Sequence, residues 1–202
     1  AVIIPMILSF FSTRTQPVIL VNWETAFAGV SESSTVGFAS ITFLILVSFR
    51  SVYSATILIV INKKTNITIQ GILSSGIILS DIHQPVFIIN NSSNIVLQRL
   101  SLGHDPSIIG DHDSEVLRIN EGNNIYINSC EISGDAAIGV KAIGVQSLTI
   151  VNCFVHDNSW FAFSFQKCDN VKVEHSRIIE NQEVMYKRSS PNVTMYSNII
   201  KD

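Results

Sequence analysis

Charged residues are scarce in this chain, and no stretch of it is rich in lysine or arginine. Only 14% of its 202 residues are charged, and the formal net charge is −3 at pH 7. A protein that binds nucleic acid presents a basic surface, which this composition does not supply. We therefore expect no nucleic-acid partner.

Cysteine is scarce too, and its number is odd. The chain has only Cys130, Cys153 and Cys168. A small domain held together by disulfides has more cysteines, in an even number, so the sequence does not predict a disulfide framework. We expect three buried free thiols that pack as small apolar side chains, with Cys130 and Cys153 stacked on each other.

The chain also lacks a convincing membrane-spanning run. The best candidate, Ser33–Phe49, carries no charge over 17 residues, but its first half is rich in Ser, Thr and Gly. A spanning helix needs about 20 mostly apolar residues. We therefore favour strands here and keep a membrane span as the alternative. Residues 1–11 are apolar but lack the basic start of a signal peptide, and the missing initiator Met indicates a fragment or a processed form.

One short phrase recurs through the second two-thirds of the chain. It consists of Asn, an aliphatic residue, any residue, a second aliphatic residue, a polar turn and a further aliphatic pair. The copies are NITIQGILSS, NIVLQRLSLG, NIYINSCEIS, SLTIVNCFVH, NVKVEHSRII and NVTMYSNIIK, which begin at Asn66, Asn94, Asn124, Ser147, Asn170 and Asn192. The copies are β-branched and alternating, which predicts strands, and they repeat every 22 to 30 residues.

A strand unit with this period predicts a parallel β-solenoid. Leucine-rich repeats need a leucine framework that the phrases lack, and a propeller blade needs about 40 residues. We therefore predict an all-β, three-sided parallel β-helix over residues 55–202, with residues 1–54 as an irregular N-terminal cap. Alternation along the strands predicts the inward side chains, which are Ile95, Leu97, Ile125, Ile127, Leu148, Ile150, Val171, Val173, Phe161, Phe163 and Phe165.

The phrases NIYINSCEIS and SLTIVNCFVHDN resemble the right-handed parallel β-helix repeat proteins of the pectin-lyase-like superfamily. The resemblance covers about residues 55–202 and concerns the coil, since these motifs are structural. Pectate lyases of that superfamily use acidic calcium ligands and an arginine base within an Arg-x-Pro-Arg-x-Arg phrase. That phrase is not matched in this chain, so the resemblance points to a generic repeat protein and not to a lyase.

A candidate ligand-binding groove follows from the alignment of the repeats. The outward position six residues before the repeated Asn holds Arg118 in one coil and Lys141 in the next. Two like charges stacked about 5 Å apart repel unless an anion lies between them. The longest turn, Gly103–Ser114, lies beside these two cations and is acidic. The full candidate set is Asp105, Asp111, His112, Asp113, Arg118, Asp135, Lys141, Asp157 and Trp160.

Each of these residues also has a plainer interpretation. Asp and Asn in turns often bond their own backbone, and the two cations can pair with nearby carboxylates. In the functional interpretation, Asp105, Asp111, Asp113 and Asp135 are possible oxygen ligands of calcium, although no cofactor is required. Trp160 would offer a flat face to a sugar ring.

Two functions remain open from the sequence. The first is a non-catalytic repeat module of an extracellular or cell-surface protein that binds a polysaccharide or serves as a spacer. The alternative is a lyase-like or hydrolase-like enzyme that acts on an acidic polysaccharide, with the cations binding its carboxylates.

Overall fold

The computed structural model describes residues 2–8, 41–47, 52–54, 59–107, 113–134 and 137–201. For residues 2–8, 41–47, 52–54 and 72–75 only the backbone is described. All regular secondary structure in these residues is β-strand. The strands are β1 (Val2–Leu8), β2 (Ile41–Val47), β3 (Val52–Ser54), β4 (Ile59–Asn62), β5 (Thr65–Leu79), β6 (Phe87–Asn90), β7 (Ser93–His104), β8 (Glu115–Asn120), β9 (Asn123–Asn128), β10 (Glu131–Ser133), β11 (Ile138–Ile143), β12 (Gln146–Val151), β13 (Phe154–His156), β14 (Phe161–Gln166), β15 (Asp169–Glu174), β16 (Arg177–Ile179), β17 (Glu183–Arg188), β18 (Val193–Tyr196) and β19 (Ile199–Lys201).

The strands stack as the coils of a three-sided solenoid, and every pairing is parallel. The first side consists of β4, β6, β8, β11, β14 and β17. The second side consists of β1, β2 and the first parts of β5 and β7, followed by β9, β12, β15 and β18. The third side consists of β3 and the last parts of β5 and β7, followed by β10, β13, β16 and β19. The predicted parallel β-helix is therefore confirmed.

The repeated asparagine lies at a corner of the coil. Asn94, Asn124 and Asn170 have φ angles of 54°, 53° and 49°, in the left-handed region that asparagine tolerates better than most residues. Their side chains also form a ladder, in which Asn124 Nδ2 donates to Asn94 Oδ1 at 2.8 Å. Strand register places Asn94, Asn124, Ser147, Asn170 and Asn192 at equivalent positions, as predicted.

The core runs along the axis as columns of inward side chains. The column on the second side stacks Ile95, Ile125, Leu148 and Val171, all at most 1% exposed. The other predicted core residues are likewise buried, with the exception of Phe161, which is partly exposed. Each coil covers the apolar face of its neighbour, which no coil could bury alone.

The three cysteines are free and buried, as predicted. Cys130 and Cys153 occupy the same turn of adjacent coils, because Glu131 pairs with Phe154 directly after them. Cys168 lies in a different turn, between β14 and β15.

The turn from the third side to the first varies most in length. It spans residues 105–114 in its longest copy and residues 134–137 in the next. Residues 108–112, 135 and 136 lie outside the described residues, and the predicted site residues Asp111, His112 and Asp135 are among them.

The candidate membrane segment Ser33–Phe49 is described only at residues 41–47. These residues form β2, which pairs with β1 and with β5. Within the described ranges, no helix is long and apolar enough to cross a membrane.

Ile127 provides a direct test of the core. Its side chain is 0% exposed, so Ile127→Ala removes apolar contacts and leaves a cavity. We expect the free energy of unfolding to fall by roughly 2–5 kcal/mol, measured by denaturant titration. Lys172→Ala, an exposed position on the second side, is the control and should change it by about 0.5 kcal/mol or less. Equal effects of the two changes would contradict the register.

Candidate functional site

Arg118 and Lys141 lie side by side on the outer face of the first side, as the alignment predicts. β8 and β11 pair Arg118 with Lys141, and β14 and β17 continue the column with Ser164 and Tyr186. About a third of the Arg118 side chain and a quarter of the Lys141 side chain are exposed. The two cations are therefore partly covered, and not fully solvated.

A buried carboxylate joins these two cations. Arg118 Nε donates to Glu115 Oε2 at 2.9 Å, and Arg118 Nη2 donates to the same oxygen. Lys141 Nζ donates to Glu115 Oε1 at 2.6 Å. The Glu115 side chain is only 3% exposed, and a buried carboxylate needs such partners to offset its lost hydration. Arg118 and Lys141 thus pair with a nearby carboxylate, as in the plainer of the two interpretations.

Sequence reasoning missed Glu115 because strict alternation fails at the start of this strand. Val116 and Leu117 are both fully buried, so two successive side chains lie inside before alternation resumes at Arg118. Glu115 and Arg118 consequently lie on the same outer face, three residues apart. The second and third residues of β8, β11 and β14, which are Val116–Leu117, Gly139–Val140 and Ala162–Phe163, carry no polar side chain and could have indicated this bend.

The same bend explains why the prediction of a core position for Phe161 was wrong. Ala162 and Phe163 are both fully buried, so Phe161 lies on the outer face at the position equivalent to Glu115. Its ring contacts Tyr186, with centroids 5.6 Å apart, and Trp160, with centroids 6.4 Å apart. Trp160 is 59% exposed and Tyr186 is 40% exposed. We call Trp160, Phe161 and Tyr186 the aromatic patch.

The aromatic patch adjoins the cations. Ser164, the neighbour of Lys141, lies between Lys141 and Tyr186 in the column of outward side chains. Ser164 is buried, so its hydroxyl is covered by its neighbours. The outer face of the first side therefore changes, along the solenoid axis, from a charged group to an aromatic one.

The predicted acidic turn residues take local partners. Asp105 accepts hydrogen bonds from the backbone N and the hydroxyl of Ser107, at 2.9 and 2.7 Å, and these bonds lower the pKa of Asp105. Asp113 pairs with His83 Nδ1 at 2.9 Å. No three His, Cys, Asp or Glu side chains among the described residues are grouped so as to hold a metal ion. Calcium binding through the predicted set, two of whose members lie outside those residues, stays a prediction.

Asp157 belongs to a separate cluster on the third side. Its Oδ2 lies 2.6 Å from His156 Nδ1, and Glu131 Oε1 lies 3.3 Å from His156 Nε2. Ser101 donates its hydroxyl to Glu131 Oε2 at 2.8 Å, and the Phe154 ring stacks on His156 with centroids 3.9 Å apart. Both ring nitrogens of His156 therefore face carboxylates, one from each of two adjacent coils.

The comparison with known families decides what this solenoid is. Residues 86–202, more than half of the chain, match the model of the right-handed β-helix region. The chain belongs to the right-handed β-helix family. Its resemblance to the pectin-lyase-like repeat proteins, drawn from the repeated phrases, is thereby confirmed.

Solved structures agree with this assignment. The crystal structure of a candidate glycosyl hydrolase from Parabacteroides merdae is similar to this β-helix with a TM-score of 0.61 and 15% sequence identity. The similarity covers 77% of this chain and 82% of that chain. At this identity the likeness shows the fold alone. No curated protein matches this chain.

We call Glu115, Arg118 and Lys141 the charge cluster, and removing Glu115 tests its place in it. Glu115→Ala removes the buried carboxylate and leaves Arg118 and Lys141 as adjacent, partly exposed cations without their charge-assisted hydrogen bonds. Such a bond contributes about 1.5–3 kcal/mol, so we expect the free energy of unfolding to fall by about that amount in denaturant titrations. Glu183→Ala is the matched control, since Glu183 holds the equivalent position in the last coil and is exposed. A loss no larger than that of the control would show that Glu115 does not hold the cations.

The pair of His83 and Asp113 predicts a pH dependence. The hydrogen bond that His83 donates to Asp113 raises the pKa of His83 above its ordinary 6.5, and the same bond lowers the pKa of Asp113 below its ordinary 3.8. The pair therefore contributes stability between these two ordinary values. That stability is lost as the pH rises through the raised pKa of His83, or falls through the lowered pKa of Asp113.

An NMR titration of the His83 ring measures this effect. We expect Asp113→Asn to lower the pKa of His83, because the anionic partner of the imidazolium is gone. Asp105→Asn is the control and should leave the titration of His83 unchanged. An unaltered midpoint in Asp113→Asn would show that the pair does not form in solution.

Proposed function

We propose that this β-helix domain is a non-catalytic module of an extracellular or cell-surface protein, which binds a polysaccharide along the outer face of its first side. The observation that carries the proposal is the aromatic patch. Trp160 and Tyr186 leave large ring surfaces in water, and exposed aromatic groups next to polar ones are typical of binding surfaces. Sugar rings have apolar faces that can lie against such side chains.

The charge next to the aromatic patch limits the kind of polysaccharide. Arg118 and Lys141 carry two positive charges, and Glu115 offsets one of them. The group of Arg118, Lys141 and Glu115 therefore keeps one net positive charge. This balance favours a neutral or sparsely acidic glycan, whose rare carboxylates approach Lys141, over a densely charged one.

The geometry of the solenoid supports an extended ligand. Outward side chains of successive coils recur at the strand spacing of about 4.8 Å, so a linear polymer laid along the axis meets Arg118, Lys141 and Tyr186 in turn.

Binding to immobilised glycans tests the proposal. We expect a neutral or weakly acidic polysaccharide to bind on a glycan array, and calorimetry to confirm it in solution. Tyr186→Ala and Trp160→Ala should each weaken the binding about tenfold or more, since exposed aromatic anchors dominate such interfaces. Tyr126→Ala is the matched control, because Tyr126 is 39% exposed but lies on the second side.

Two outcomes would contradict the proposal. If no glycan on the array binds the unaltered protein, a spacer without a ligand becomes the better interpretation. If Tyr126→Ala weakens binding as much as Tyr186→Ala, the ligand does not lie on the first side.

A hydrolase is the alternative function, and the third-side cluster is the observation that favours it. Glu131 and Asp157 are about half exposed and flank His156, and pairs of carboxylates serve as acid and base in glycoside hydrolysis. The Parabacteroides merdae protein of the same fold is itself named as a candidate glycosyl hydrolase. New reducing ends released from a bound glycan, and lost in Glu131→Gln, would establish this alternative.

A further inference from the structure

The turn between the second and third sides holds a pair of thiols. Cys130 and Cys153 follow Ser129 and Asn152, which have φ angles of 54° in two adjacent coils. This corner turns each cysteine inward, and both side chains are only 2% exposed. The coils before and after place Leu100 and Ser176 at the same position, so the two cysteines are neighbours in one stack.

The two cysteines are in register. Glu131 pairs with Phe154 directly after them, and the Phe154 backbone N donates to the carbonyl of Cys130 at 2.9 Å. Neighbouring strands of a sheet lie about 4.8 Å apart. That separation falls within the range of about 4.4–6.8 Å between the Cα atoms of disulfide-bonded cysteines. Both side chains also have the same direction, towards the axis.

We propose that Cys130 and Cys153 are a reversible oxidation site. A small-molecule disulfide oxidises the two thiols, and the disulfide bond that they form links the two adjacent coils covalently. The proposal does not depend on the function of the outer face. The third cysteine has no part in it, because Cys168 lies in the turn between the first and second sides, where its thiol contacts the carbonyls of Ala142 and Gln166.

Contact between the two thiols supports this chemistry. The hydrogen bond between the sulfurs raises the pKa of Cys130 and lowers the pKa of Cys153, while burial raises both. Since the thiolate is the nucleophile in disulfide exchange, one of the two buried thiols must lose its proton before it attacks.

The reaction balances as two successive exchanges. Both thiols are buried in the folded coils, so oxidised glutathione meets them while the coils are open, as during refolding. The thiolate of one cysteine attacks one sulfur of oxidised glutathione, which forms a mixed disulfide and releases one glutathione thiolate. The other cysteine then loses its proton and attacks the sulfur of the first, which releases the second glutathione. The two cysteine sulfurs are oxidised, and one molecule of oxidised glutathione is reduced to two of glutathione.

The bond would close a loop of one complete coil. In a solenoid each coil contacts only its neighbours, so coils can separate one at a time. A covalent link between adjacent coils restricts the unfolded chain and opposes that separation, with a stabilisation that grows with the length of the closed loop. Oxidation would therefore lock the register of the two coils that carry Lys141 and Glu115.

The experiment compares reduced protein with protein held in oxidised glutathione, both as the folded chain and during refolding. We expect the number of free thiols to fall from three to one and peptide mapping to recover a peptide pair joined through Cys130 and Cys153. The thermal midpoint should rise by roughly 5–10 °C, and dithiothreitol should reverse the change. Cys168→Ser should form the link equally well.

Cys153→Ser is the variant that cannot form the link. It should show neither the joined peptides nor the rise in thermal midpoint, whatever its own stability, because each variant is compared with itself in reduced and oxidised buffer. Three free thiols after both treatments would overturn the proposal. A stable glutathione adduct without the link, or a link through Cys168, would overturn it as well.

Discussion

The whole solenoid depends on corners formed by residues in the left-handed backbone region. Most described coils turn at Asn124, Ser129 and their equivalents, with φ between 49° and 66°. Such a conformation costs an ordinary residue roughly 1–2 kcal/mol, and the surrounding hydrogen bonds must offset that cost. Stacking of identical corners supplies these bonds, because the Asn94 and Asn124 side chains bond to each other while the backbones pair in register. The corner and the stack therefore stabilise each other.

This scaffold constrains the inward positions and leaves the outer face as a regular surface whose side chains can vary. The inward columns are constrained by packing, and two of the three turns are short in most coils. Variation is left to the outward side chains and to the turn between the third and first sides. The described charge cluster, the aromatic patch and the His156 cluster all adjoin that turn, because the strands that begin or end there carry Glu115, Phe161 and His156.

Packing also explains which parts of the site sequence reasoning could reach. The columns of side chains could be predicted from the spacing of the repeated Asn. The length of one repeat identifies the residue stacked on each position in the next coil, and the two-residue alternation along a strand identifies the face of the sheet on which it lies. Arg118 next to Lys141 was predicted on that basis. Glu115 and Phe161 were missed, since two successive inward residues at the start of β8 and β14 break the alternation. The His83–Asp113 pair joins turns 30 residues apart, and no periodic rule describes turns of unequal length.

The sequence alone determined the coil, its register and the residues of its core, because these follow from short-range alternation and one repeated corner residue. It also determined that Cys130 and Cys153 share a stack. Only the tertiary structure decided what the outward side chains do. Whether Arg118 and Lys141 face solvent or a buried Glu115, and whether Phe161 packs inside or against Tyr186, depends on a local bend of the strand. The direction of a side chain at such a bend is set by packing against the neighbouring coils, which residue order does not encode locally.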